Sequence, residues 1–123
     1  MASLPTPGRV FERDGRTVRA LHGCHLHSPI MKNLACLRRL VKVAMALVED
    51  DVYIYQFKIN MKAAFSGDVW KWHQDFIYWR DEDGMPECRV VNIGLYLDDV
   101  TEMNGPLLVI PGSHRGGVID GHA

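Results

Sequence analysis

The stretch Val52-Tyr53-Ile54-Tyr55-Gln56-Phe57-Lys58-Ile59-Asn60 decides the fold. β-Branched and aromatic residues dominate it, and successive side chains of an extended chain point to opposite faces. Tyr53, Tyr55, Phe57 and Ile59 then share one side, as a core face would. Val52, Ile54, Gln56, Lys58 and Asn60 share the other, which begins apolar and ends polar. Such a gradient suits a cavity deep at one end and open at the other, and equally an edge strand with a solvated end. The period of two continues downstream. Residues 69–76, 89–97 and 107–110 read as strands, with connections at 66–68, 81–86 and 102–106. Four or five strands with little helix after residue 50 predict a mainly β fold: an antiparallel sheet, a sandwich or part of a barrel.

Upstream the pattern differs. Residues 1–20 read as an extended arm: Pro5, Pro7 and Gly8 oppose helix, and Asp14-Gly15 marks a turn between short strands near Val10-Phe11 and residues 17–20. One amphipathic helix is predicted over residues 29–48, capped by Ser28 and opened by Pro29. Ile30, Leu34, Leu37, Val41, Ala44, Met45 and Val48 fall on one stripe at spacings of three and four, with Lys32, Arg39 and Lys42 largely off it.

A chain of 123 residues supports one core and not two sizeable domains. Its net charge of -1 exerts no global pull toward nucleic acid or an anionic membrane. The charge is unevenly placed: residues 1–47 carry eight basic and two acidic side chains, residues 48–123 six basic and thirteen acidic. Arg38, Arg39 and Lys42 are too few, and lack interleaved aromatics, to read as a nucleic-acid patch. Cys24, Cys36 and Cys88 make no CxxC and cannot all pair within one chain, which favours a reducing, cytoplasmic setting. No stretch reads as a signal peptide or a membrane span.

The segment Trp72-His73-Gln74-Asp75-Phe76 carries the chemistry. On a strand, His73 and Asp75 leave the same face about 6.6 Å apart, and Trp70, Trp72, Gln74 and Phe76 leave the other. An imidazole and a carboxylate can converge there on one divalent ion such as iron, or simply hydrogen-bond to each other. Asn92 and Gly94 are unusual within an apolar strand: Asn92 can hydrogen-bond a bound acid, and Gly94 leaves room for a ligand or marks a bulge. Trp79, expected in a loop, either packs a small substrate at the site mouth or anchors the surface. In Leu21-His22-Gly23-Cys24-His25-Leu26-His27 the potential ligands are packed more tightly than in structural zinc sites, so the segment reads as packing near a cavity, with His25 facing inward. No nucleophile elbow or phosphate loop is present.

Taken in order, Gln56-Phe57-Lys58-Ile59-Asn60, Trp72-His73-Gln74-Asp75-Phe76, Tyr78-Trp79, Glu82-Asp83-Gly84-Met85-Pro86, Asn104-Gly105-Pro106-Leu107 and Ile110-Pro111-Gly112-Ser113-His114 closely resemble the phytanoyl-CoA dioxygenase family. These are non-haem Fe(II), 2-oxoglutarate-dependent oxygenases, and the ectoine hydroxylase-like members are the most similar. The resemblance covers residues 20–117 or so.

It implies a partial double-stranded β-helix, a cupin-like jelly roll, over residues 21–123. It implies hydroxylation of an unactivated C–H bond of a small polar or amino-acid-like molecule, with molecular oxygen, Fe(II) and 2-oxoglutarate. His73 and Asp75 match the catalytic metal ligands; Lys58, Asn60 and Asn92 match positions at the 2-oxoglutarate pocket; Gln56 and Trp79 match substrate contacts, with His25 a further candidate. Lys58 stands where ectoine hydroxylases have arginine, and Phe76 where they have threonine, which argues against ectoine as the substrate. The family's distal metal histidine and carboxylate-clamping arginine have no match: His114 corresponds to a non-ligand, and His122 comes too early. The chain therefore reads as the middle of such an enzyme, with weak or no turnover expected of it alone. The alternative is a non-catalytic β domain that associates through an open sheet edge.

Overall fold

The computed structural model describes residues 8–63 and 67–119. Pro5 and Pro7 of the expected arm, Ser66 of the expected turn, and His122 lie outside them. The chain divides into two compact units, residues 1–68 with 91–95 and residues 69–90 with 96–123.

The first unit is built on a three-stranded antiparallel sheet of β1 (Arg9–Phe11), β2 (Val18–His22) and β3 (Lys58–Asn60), in that order. The Asp14-Gly15 turn forms as expected. Asp14 accepts hydrogen bonds from the Arg16 and Thr17 backbone and from the Thr17 hydroxyl, and Gly15 takes the positive φ of 67°. These bonds, the one from the Thr17 hydroxyl foremost, lower the pKa of Asp14. Inside the hairpin Glu12, only 8 % exposed, accepts from Arg19 Nη1 at 3.0 Å and from the backbone N–H of Asp68 at 3.4 Å. Gly8 admits a close approach: a Cβ there would lie 2.7 Å from the His22 carbonyl oxygen.

Gly23, in the left-handed region at φ 67°, ends β2 and starts α1 (Cys24–His27). Ser28 caps α2 (Pro29–Ala35) through a bond accepted from the Met31 N–H, and Pro29 opens it, as the sequence predicts. The single helix expected over 29–48 is corrected to two, because Leu37 leaves the helical region (φ −56°, ψ 122°) and becomes the N-cap of α3 (Arg38–Val48). The break carries no Gly or Pro. The expected stripe survives in part: Ala44 is buried and Leu34, Leu37, Val41 and Val48 are half-buried, but Ile30 is 74 % exposed. Ala20, Leu21, Cys24 and Ala44 are the buried apolar residues among those described in this unit.

The strand expected over 52–60 shortens to β3, since only Lys58–Asn60 finds a ladder partner. Tyr53, expected in the core, is 82 % exposed.

The second unit has one α-helix and one short 3-10 helix, and most of its other described residues are irregular. The strand expected over 69–76 is corrected: residues 69–74 are irregular and α4 (Asp75–Asp83) begins within the motif, ending at Gly84 with φ 70°. Ile77 and Trp79 on α4 are its buried apolar residues, so Trp79 stands on a helix and not in a loop. A short 3-10 helix follows at Ser113–Arg115. Residues 89–97 and 107–110, expected as strands, join no ladder among the described residues, and most of their apolar side chains are exposed. β-Propensity makes a strand only where a neighbouring backbone accepts its hydrogen bonds. The mainly β composition expected is thus met only in the small sheet; more of the described residues are helical. No helix of the described residues is long and apolar enough to cross a membrane.

Candidate functional site

The chain enters α4 through Trp72-His73-Gln74-Asp75. Gln74 is the N-cap, with extended backbone (φ −113°, ψ 119°), and Asp75 is the first helical residue. His73 and Asp75 thus flank a helix cap instead of following one another along a strand. They still meet: His73 Nε2 lies 3.3 Å from Asp75 Oδ1. The helix N-terminus also favours a carboxylate in its first turn.

The other ring nitrogen of His73 is committed. Nδ1 lies 2.6 Å from the Lys71 carbonyl oxygen, which can only accept, so Nδ1 carries the proton and donates. In the neutral ring the Nε2 lone pair then faces a carboxylate oxygen. Two acceptors turned toward each other favour a cation or a proton between them. The separation exceeds the 2.7–2.9 Å or so of a charge-assisted hydrogen bond. It is near the roughly 3 Å expected between neighbouring ligands each about 2.1 Å from one ion. Neutral imidazole and carboxylate are also suitable donors for Fe(II), so the pair fits that metal. Trp70 and Tyr78 flank the ring, with centroids 6.4 and 6.0 Å from it. The expectation that Trp70 faces away from His73 is therefore corrected; it depended on a strand that does not form. Trp79 is one helical turn beyond Asp75, on the same face of α4, and is 7 % exposed. No set of three His, Cys, Asp or Glu side chains arranged for a metal occurs among the described residues.

Lys58, Asn60, Gln56, Asn92 and His25 belong to the first unit. Lys58 and Asn60 share one face of β3, paired with His22 and Ala20 of β2. Desolvation, reinforced by the Lys58 charge, lowers the pKa of His22. Gln56 precedes β3 and is exposed, as is Asn92, which lies outside any helix or strand. Among the described residues nothing lies within 4 Å of a Cβ placed at Gly94, so none of them makes a close approach there. His25, on α1, packs its ring 5.1 Å from that of Phe57. Its Nδ1 is buried and has no hydrogen-bond partner among the described residues. Such an atom is costly unless something bonds to it, which is what a ligand-facing residue would show.

Two participants escaped sequence reasoning. The Lys71 carbonyl has no side-chain signal. Gln74 had one, its place between two candidate ligands, but its partners are 43 and 45 residues away.

A family model described as phytanoyl-CoA dioxygenase matches residues 2–123. The chain is 50 % identical over 114 residues to an L-proline trans-4-hydroxylase of Streptomyces griseoviridis, covering 93 % of this chain and 42 % of the relative. It is 43 % identical over 114 residues to an ectoine dioxygenase of Sphingopyxis alaskensis, covering 93 % of this chain and 37 % of the relative. Among solved structures, the crystal structure of EctD from S. alaskensis with bound Fe superposes with a TM-score of 0.67 at 41 % identity, covering 72 % of this chain and 31 % of that one. The chain spans less than half the length of each of these relatives.

Proposed function

The chain belongs to the phytanoyl-CoA dioxygenase family, and on that premise we propose that it carries the Fe(II)- and 2-oxoglutarate-binding part of a dioxygenase. The substrate class is a small, polar, amino-acid-like molecule hydroxylated at an unactivated C–H bond, with molecular oxygen as co-substrate. The names of the relatives, a proline hydroxylase and ectoine dioxygenases, support that class. The iron in the related structure supports the metal. A partial jelly roll over residues 21–123 is the architecture proposed; the described strands form only the small sheet.

The observation that carries the reading is the approach of His73 Nε2 to Asp75 Oδ1 at 3.3 Å, with Nδ1 held by the Lys71 carbonyl. That bond keeps the Nε2 lone pair available, and Asp75 adds the anionic oxygen. Lys58 supplies a positive charge for a carboxylate of 2-oxoglutarate, and Asn60 and Asn92 supply hydrogen bonds to it. Gln56, Trp79 and His25 contact the substrate; the unpartnered Nδ1 of His25 supports that role. When bound, iron and 2-oxoglutarate supply the oxidising power for hydroxylation, and 2-oxoglutarate ends as succinate and CO2.

Anaerobic titration of the purified chain with Fe(II), and with Co(II) as an air-stable probe, tests the centre. One ion per chain is expected, lost in both His73→Ala and Asp75→Ala. Unchanged affinity in both variants would overturn the assignment.

A further inference from the structure

Gln74 does more than cap a helix. Its amide Nε2 donates to the Gly117 carbonyl at 2.9 Å, and its Oε1 accepts from the Ile119 N–H at 2.8 Å. The two bonds fix the amide orientation, since the carbonyl needs a donor and the N–H needs an acceptor. One planar amide bonded to alternate residues of a backbone reproduces the edge of a β-ladder. The backbone that carries this side chain is the peptide between His73 and Asp75.

We propose that Gln74 is a positioning residue that clamps the His73–Asp75 pair onto the backbone of residues 117–119 and so pre-forms the metal site. The proposal rests on the reading of His73 and Asp75 as ligands. The pair sits where irregular chain enters a helix. The Lys71 carbonyl restrains the imidazole from one side. The Gln74 amide restrains the cap itself, and with it the relative placement of the residues before and after. Glutamine suits the task because it offers a donor and an acceptor in one fork. Glutamate has the same length but turns an acceptor toward the Gly117 carbonyl, and asparagine is one methylene short.

Two measurements on the purified chain test this: hydrogen exchange at the Ile119 amide, and affinity for Co(II) or anaerobic Fe(II). In Gln74→Glu the Ile119 amide is expected to lose protection and metal affinity to fall roughly 10–100-fold, as when an outer partner of a metal ligand is removed. Ile119→Pro removes the same N–H from the other side. It is expected to weaken metal binding similarly, with little further loss when the two changes are combined. His73→Ala, by contrast, should abolish binding while leaving Ile119 protected. Unchanged protection in Gln74→Glu overturns the clamp. Lost protection with wild-type metal affinity overturns its positioning role. A wild-type chain that binds no metal while Ile119 is protected overturns the ligand reading, and with it the purpose assigned to the clamp.

Discussion

His73 and Asp75 approach to 3.3 Å across the N-cap of α4, so the two side chains meet because a helix begins between them. Their closeness follows from the turn of the chain at Gln74. The carboxylate accordingly combines the ligand role proposed for it with its place as the first-turn acid of α4, and the two can be separated.

Asp75→Asn keeps the side chain's shape and removes its charge. Loss of the helix-terminus interaction is expected to cost about 0.3–1 kcal/mol, leaving the circular dichroism of the folded chain unchanged. Metal affinity measured by titration is expected to fall at least tenfold. A loss of affinity matched by loss of helix would place Asp75 in folding and not in ligation.

Glu12 and Arg19 form an ion pair at 3.0 Å whose side chains are only 6 % and 15 % exposed. Glu12→Ala leaves the guanidinium half of that pair without its carboxylate and is expected to destabilise the chain by roughly 2–4 kcal/mol in denaturant unfolding. The double variant Glu12→Met with Arg19→Met is expected to recover much of the loss, because neither charge of the pair then remains.

Desolvation and the nearby Lys58 charge depress the folded-state pKa of His22 below its ordinary 6.5. Above that value both states are neutral and His22 contributes no pH dependence. As the pH falls below it, the unfolded chain takes up a proton that the folded chain refuses, so stability declines until the folded-state pKa is passed. His22→Gln is expected to flatten this part of the stability profile, read from melting temperatures between about pH 7 and 5. Lys58→Met should raise the His22 pKa in an NMR titration.

Gly84 ends α4 at φ 70°, and a Cβ there would meet nothing within 4 Å. Gly84→Ala therefore tests backbone conformation without a clash and is expected to cost about 1 kcal/mol in urea unfolding. Gly8→Ala differs, since its Cβ would press to 2.7 Å from the His22 carbonyl oxygen and force the hairpin to shift.

The sequence by itself determined the features that short-range chemistry controls. Asp14-Gly15 made its turn, Ser28 and Pro29 started their helix, and the histidine and aspartate two residues apart did meet. Each depends on bonds and sterics within a few residues. The family followed from motifs in order along the chain. What only the tertiary structure decided depends on partners far away in sequence. Tyr53, Tyr55 and the apolar residues of 107–110 have strand propensity, yet a strand also needs a neighbouring ladder, and only Lys58–Asn60 found one, in β2. Residues 75–83 carry no apolar stripe at spacings of three and four that would declare a helix, although Asp75 in the first turn and Gly84 after the last were its signals. The hold of Gln74 on Gly117 and Ile119 spans more than 40 residues, and no local pattern encodes such a bond. Local conformational preference is written residue by residue; hydrogen-bond partners across the chain exist only once it has folded.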